Sequence, residues 1–166
     1  MLKQATLITF LSSCFSLPTS DPLCEAPSTT DGYDWVYAAS TTGVWYTKTE
    51  DFVPWEDCPT ECQSIQGQWA KTLNQDELSG CEAADWWVDP ENITGENLWI
   101  SALLIGSGGA KSWYWADGEK VTDFFWREHQ PDERDEPQNC MYMAVNGWGD
   151  IICHKYTQRC MCEFRC

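Results

Sequence analysis

The chain has 166 residues, 43% of them hydrophobic, with 11 tryptophans, which suits one domain with a packed core and excludes a disordered tract. Its formal net charge of −16 repels phosphate backbones and anionic lipid head groups, so nucleic acid is not an expected partner. What such a surface holds readily is a hard cation, since carboxylate and amide oxygens are calcium's ligands, although most of the 26 acids serve solubility.

Residues 1–20 read as a signal peptide. Lys3 gives the basic start, a short apolar run extends from Ala5 through Leu17, and Pro18-Thr19-Ser20 closes it. The run is too short to cross a bilayer and no second candidate follows, so a secreted, extracellular protein without a membrane span is expected. Of ten cysteines, Cys14 lies in this segment and nine remain for an oxidising compartment where disulfides persist. An odd count leaves one thiol free or bridged to another chain, the latter giving a disulfide-linked oligomer. Zinc is a poor fit: Cys58-Pro-Thr-Glu-Cys62 and Cys160-Met-Cys162 lack the paired spacings of a structural zinc module, and the only histidines are His129 and His154.

Residues 21–32, rich in Pro, Ser, Thr and Asp, read as a short exposed leader, and 33–166 as the domain. Val44-Trp45-Tyr46 has strand composition. From about Trp55 to Thr72, Trp55, Cys62, Ile65 and Trp69 recur at helical spacing, and Pro59, tolerated only in a first turn, puts the helix start near Asp57 or Cys58. A second helix is predicted around Gln75 to Leu78. The segment from Gly80 to Asn97 has an insertion's character, with Trp86-Trp87 and a glycosylation sequon at Asn92-Ile93-Thr94. Strands and turns follow: Leu98-Trp99-Ile100, a turn at Gly106-Ser107-Gly108-Gly109, Trp113-Tyr114-Trp115, a turn at Asp117-Gly118, a long loop from Thr122, then closing strands at Met141 to Val145 and Cys160 to Phe164. The class is α+β, with two helices early, an antiparallel sheet late and a long loop region.

Taken in order, Trp55 and Cys62 with Gly67-Gln68-Trp69-Ala70, Leu98-Trp99-Ile100, Trp113-Tyr114-Trp115-Ala116-Asp117-Gly118, Trp126, Gln130-Pro131-Asp132, Cys140, Trp148-Gly149-Asp150-Ile151-Ile152-Cys153 and Cys162-Glu163-Phe164 resemble the C-type lectin-like domain. The resemblance covers roughly Tyr33 to Cys166 and implies that disulfide-bonded fold. It implies the bridges Cys62–Cys162 and Cys140–Cys153. A further rung, Cys58–Cys160, is geometrically reasonable, because four helical residues rise about 6 Å and two strand residues about 6.6 Å. Cys24, Cys81 and Cys166 are left unplaced.

In calcium-dependent members an amide, a proline and an acid in the long loop hold calcium and sugar hydroxyls together, which the resemblance assigns here to Gln130, Asp132 and Asp150. Calcium takes six to eight oxygens, and a cis proline bond turns neighbouring side chains toward one ion. The order Gln-Pro-Asp resembles the galactose-type version. Two positions depart from the pattern: Gln138 stands where an acid is expected, and Gly149 where an Asn is expected. Glu136 or Asp135 is the nearby substitute. No aromatic stands in Glu133-Arg134-Asp135-Glu136-Pro137 to stack on a sugar, and Trp148 is expected in the core.

The function implied is carbohydrate binding, calcium-dependent and galactose-type, on cell or microbial surfaces. The alternative is a calcium-independent module that binds a protein partner or surface, with Trp86-Trp87 as a candidate patch. Catalysis is not expected, since two histidines offer few general bases and no nucleophile elbow or His-Glu-x-x-His occurs. Asp132 and Glu136 lie in a hydrophilic loop, unlike the buried acid that glycoside cleavage requires. A small exposed sugar site binds weakly, so useful affinity calls for an oligomer, covalent or not.

Overall fold

The structure is a computed structural model describing residues 35–37, 44–71, 97–132, 137–144 and 147–165. The expected signal peptide and leader, the helix at Gln75 to Leu78, Trp86-Trp87, the Asn92 sequon, Val145, Cys14, Cys24, Cys81, Cys166 and the loop acids Asp135 and Glu136 lie outside the described residues.

Strand β1 (Val36–Tyr37) pairs antiparallel with β2 (Val44–Lys48), and β2 with the last strand, β8 (Arg159–Arg165). A 3-10 turn at Trp55–Asp57 leads into helix α1 (Cys58–Ser64), where Pro59 sits in the first turn. Helical spacing in the sequence extends to Trp69, but the helix ends well before it. The Gln66 N–H bonds the Gln63 carbonyl at 3.1 Å and the Gly67 N–H the Cys62 carbonyl at 2.9 Å, with Gln66 at φ 63°. That is a helix-ending Schellman pairing. Trp69 therefore lies on β3 (Gln68–Trp69), which pairs with β8.

The long strand β4 (Leu98–Ile105) carries β5 (Ser112–Trp115) on one edge and β6 (Cys140–Ala144) on the other, and β6 pairs with β7 (Gly147–Ile151). The path runs β1-β2-β8-β4-β6-β7, antiparallel throughout except that β4 and β8 run parallel at Leu98 and Trp99. Composition does not announce β7, because Gly-Trp-Gly-Asp has low strand propensity; pairing with β6 makes it a strand.

Side-chain alternation divides the core between the two sheet faces. Met161 packs with Leu98, Ile100, Met141 and Trp148, whereas Cys160 and Cys162 turn toward α1 with Trp99 and Trp69. Hence two cysteines one helical turn apart meet two cysteines a strand period apart. Bridges Cys58–Cys160 and Cys62–Cys162 span Cα separations of 5.5 and 5.4 Å. The three indoles on this side each donate to a carbonyl: Trp99 to Val53 at 2.9 Å, Trp55 to Ile100 at 3.1 Å and Trp69 to Trp99 at 3.4 Å. Burial thus leaves none of these donors unsatisfied.

Candidate functional site

The long loop is fastened to the outer edge of the sheet, and that attachment builds the site. The Trp148 N–H bonds the Phe125 carbonyl at 2.7 Å and the Arg127 N–H bonds the Trp148 carbonyl at 2.9 Å, so Phe125–Arg127 runs alongside β7. Trp148, buried in the core, packs edge-on against Phe125, Trp126 and Trp115 at centroid distances of 5.2, 6.5 and 5.9 Å. Gly147 permits the approach: its φ is 126°, and a Cβ there would stand 2.5 Å from the Phe125 carbonyl oxygen. The Cys140–Cys153 bridge ties β6 to the chain beyond β7, which forms the opposite wall.

Between these walls lies a cleft of about 430 Å³. Gln130, Asp132 and Asp150 line it together, along with Gln138, Tyr142 and Arg127. The Gln130–Pro131 peptide is cis. The Asp150 N–H donates to Gln130 Oε1 at 2.9 Å, the Asp132 N–H to Asp150 Oδ1 at 3.0 Å, and Gln138 Nε2 to Asp132 Oδ1 at 2.6 Å. Asp150 is only 2% exposed, while Gln130 and Asp132 are half-buried. His129, beside them, points into solvent.

Four lining residues carried no signal in the sequence reading. Lys155 and Arg127 bring two cations to the cleft that the two carboxylates line. Tyr142 and Tyr156 supply aromatic rings, a residue type missing from the sequence of 133–137, and Tyr156 stands 42% exposed. Tyr142 is brought in by strand register, since it sits directly opposite Gly149. The Arg127 guanidinium lies over its ring at 5.0 Å. Burial raises the pKa of the Tyr142 phenol, Arg127 opposes that rise, and the negative charges of Asp150 and Asp132 add to it.

Calcium can be tested against these atoms. The ion takes six to eight oxygens and favours several carboxylates. Here three of the four expected ligands, Gln130, Asp132 and Asp150, already have an oxygen accepting an N–H, and the fourth, Glu136, lies outside the described residues. Gln138 presents an amide N–H where an acid would give an oxygen, and two cationic side chains line the same cleft. No group of three or more His, Cys, Asp or Glu side chains able to hold a metal occurs among the described residues. As arranged, the described residues do not fit a calcium ion.

The family model for the lectin C-type domain matches residues 52–164. No curated protein matches the chain. Solved structures with the same fold include the cow C-type carbohydrate-recognition domain of CD23, crystallised in the presence of a GlcNAc2Man3 oligosaccharide, with TM-score 0.59 and 16% identity over 80% of this chain and 93% of that one. Another is the C-type lectin CEL-I from Cucumaria echinata, with TM-score 0.60 and 19% identity over 78% and 94% of the two chains. A third, SPL-1 in complex with GlcNAc, has TM-score 0.60 and 19% identity over 86% and 99%. These likenesses show the fold. The chain belongs to the C-type lectin domain family.

Proposed function

We propose, from membership of the C-type lectin domain family, that this protein is a non-enzymatic binder of neutral carbohydrate, and that the sugar occupies the cleft between the long loop and β7. The observation that carries the reading is the convergence of Gln130, Asp132 and Asp150 with two tyrosines in one open cleft. A sugar ring offers hydroxyls to polar side chains and a C–H face to an aromatic ring; Tyr156 gives such a ring an exposed surface. Two carboxylates and two cations lining one cleft suit a neutral ligand better than an acidic or a basic one. In this reading the sugar is held by direct hydrogen bonds, without a metal.

The Gln-Pro-Asp order resembles the galactose-type version of a calcium-dependent site, so galactose-type sugars are the favoured ligands if calcium takes part. Calcium-dependent binding is the competing version; it requires Gln130, Asp132 and Asp150 to give up their present hydrogen bonds to an ion, with Glu136 joining them. Residues 1–20 as a signal, 21–32 as a leader and 33–166 as the domain complete a secreted, extracellular protein. The three disulfides agree with an oxidising compartment, and no described helix is long and apolar enough to cross a membrane. Weak single-site affinity would be raised by oligomerisation.

The experiment is calorimetric titration of the protein with methyl β-galactoside, methyl α-mannoside and N-acetylglucosamine, each with millimolar calcium and with chelator. Binding that survives chelator and is lost in Asp132→Ala supports the metal-free reading. Binding only with calcium replaces it by the calcium-dependent version. No binding to any sugar under either condition overturns carbohydrate recognition and turns the search to a protein partner.

A further inference from the structure

Position 149 has no side chain, and another residue fills its space. A Cβ on Gly149 would meet Tyr142, 2.5 Å from its Cζ atom, so the phenol ring lies across β7 at the point from which a side chain would project. The two residues are register partners on β6 and β7, which fixes the ring there independently of the loop. Tyr142 is 3% exposed as a whole, yet it lines the cleft with Gln130, Asp132 and Asp150. Its hydroxyl takes part in no hydrogen bond among the described residues. The phenol feels the charges of Arg127, Asp150 and Asp132, which line the same cleft, so its oxygen stands near the polar groups of the site.

We infer that the Tyr142 hydroxyl is a ligand-contacting group of this cleft, standing in for a side chain at position 149 and hydrogen-bonding a hydroxyl of a neutral sugar. The inference rests on the carbohydrate reading and adds to it the residue that sets specificity. A phenol both donates and accepts, which matches a sugar hydroxyl, whereas a carboxylate only accepts and a cation only donates. An ordinary phenol is protonated at neutral pH, so its donor persists there. Arg127 over the ring and Gly149 beneath it hold the hydroxyl in place before any ligand arrives. Immobilising the group beforehand lowers the entropic cost of binding.

The test is Tyr142→Phe, which keeps the ring over Gly149 and removes only the hydroxyl. Titration with the sugars above should show roughly a tenfold rise in Kd for the sugar that wild type prefers, the weight of one neutral hydrogen bond. The thermal midpoint should not move. In wild-type protein carrying carbon-13-labelled tyrosine, the Tyr142 ring resonance should shift on addition of that sugar, a readout that does not depend on the variant. An unchanged Kd in Tyr142→Phe, or a still resonance, with wild type binding sugar normally, overturns this inference and leaves the carbohydrate reading intact. No sugar binding by wild type overturns both.

Discussion

The backbone N–H of Asp150 donates to Oε1 of Gln130 across 2.9 Å, joining β7 to the loop on the far side of the cleft. The return bond runs from the Asp132 N–H to Asp150 Oδ1 at 3.0 Å. Asp150 is thus both an edge-strand residue and the clamp that shapes the loop around it. Its burial at 2% exposure is tolerable because its carboxylate is hydrogen-bonded.

Removing that carboxylate should loosen the loop as well as weaken ligand binding. Asp150→Ala leaves the Asp132 N–H without its partner and is expected to cost about 1–3 kcal/mol. Asp150→Asn, which retains an acceptor oxygen, should cost less. Chemical denaturation of the two variants beside wild type checks the order; equal stabilities for all three would show that the clamp carries no weight.

Gly149 should tolerate no side chain while Tyr142 is present. Gly149→Ala drives a methyl group into the Tyr142 ring and is expected to destabilise by about 1–3 kcal/mol, the range for overpacking. Adding Tyr142→Val should recover part of that loss, because the obstructing ring is gone. A double-mutant cycle on thermal midpoints measures the coupling, and strictly additive effects would contradict the contact.

The two bridges between α1 and β8 should be strongly non-additive. Each closes a loop of about the same length, with sequence separations of 102 and 100. With one bridge intact, the other adds only a ring of a few residues, so losing Cys58–Cys160 alone costs about 2 kcal/mol by chain entropy. Losing the second as well frees the whole loop and costs about 5 kcal/mol more. Guanidinium midpoints of the paired Cys→Ala variants test this; equal successive losses would refute the shared-loop account.

Glu163 should make stability depend on pH. Burial raises its carboxyl pKa above the usual glutamate value of 4.5, against the hydrogen bonds and charge of Arg165. Arg165 bonds both carboxylate oxygens, at 2.6 and 3.0 Å, but its side chain is 45% exposed and water screens its charge. A raised folded pKa means the fold prefers the protonated group. Its contribution is therefore complete below about 4.5 and is lost as pH rises through the higher folded value. The thermal midpoint of wild type relative to Glu163→Gln should fall from pH 4 to pH 7; a flat or rising difference would sink the argument.

Much of the fold is legible because it is written in short-range terms. Tryptophans and alternating apolar residues mark β4, β5 and β8, and Pro59 marks the start of α1. The end of α1 was not legible from periodicity: Trp69 keeps helical spacing with Trp55 and Cys62, but the Gln66 turn breaks the helix and a strand carries Trp69 into the core. At the site, Gln130, Asp132 and Asp150 could be picked out as one group from the loop motif, and the structure lines one cleft with them. Tyr142, Tyr156, Arg127 and Lys155 could not, because nothing local sets them apart from ordinary strand and surface residues.

By itself, then, the sequence determined the α+β class and the C-type lectin domain family, and it singled out Gln130, Asp132 and Asp150, which line one cleft, since residue type and spacing along the chain encode these directly. Only the tertiary structure decided what those residues face. The pairing of β6 with β7 sets Tyr142 opposite Gly149, and packing of the loop on Trp148 brings Arg127 over the Tyr142 ring. Phenols from β6 and from the chain beyond β7, and Lys155, thereby join a cleft whose loop side carries Arg127, Gln130 and Asp132. The physical reason is that strand register acts between residues distant in the chain, and no local pattern reports it.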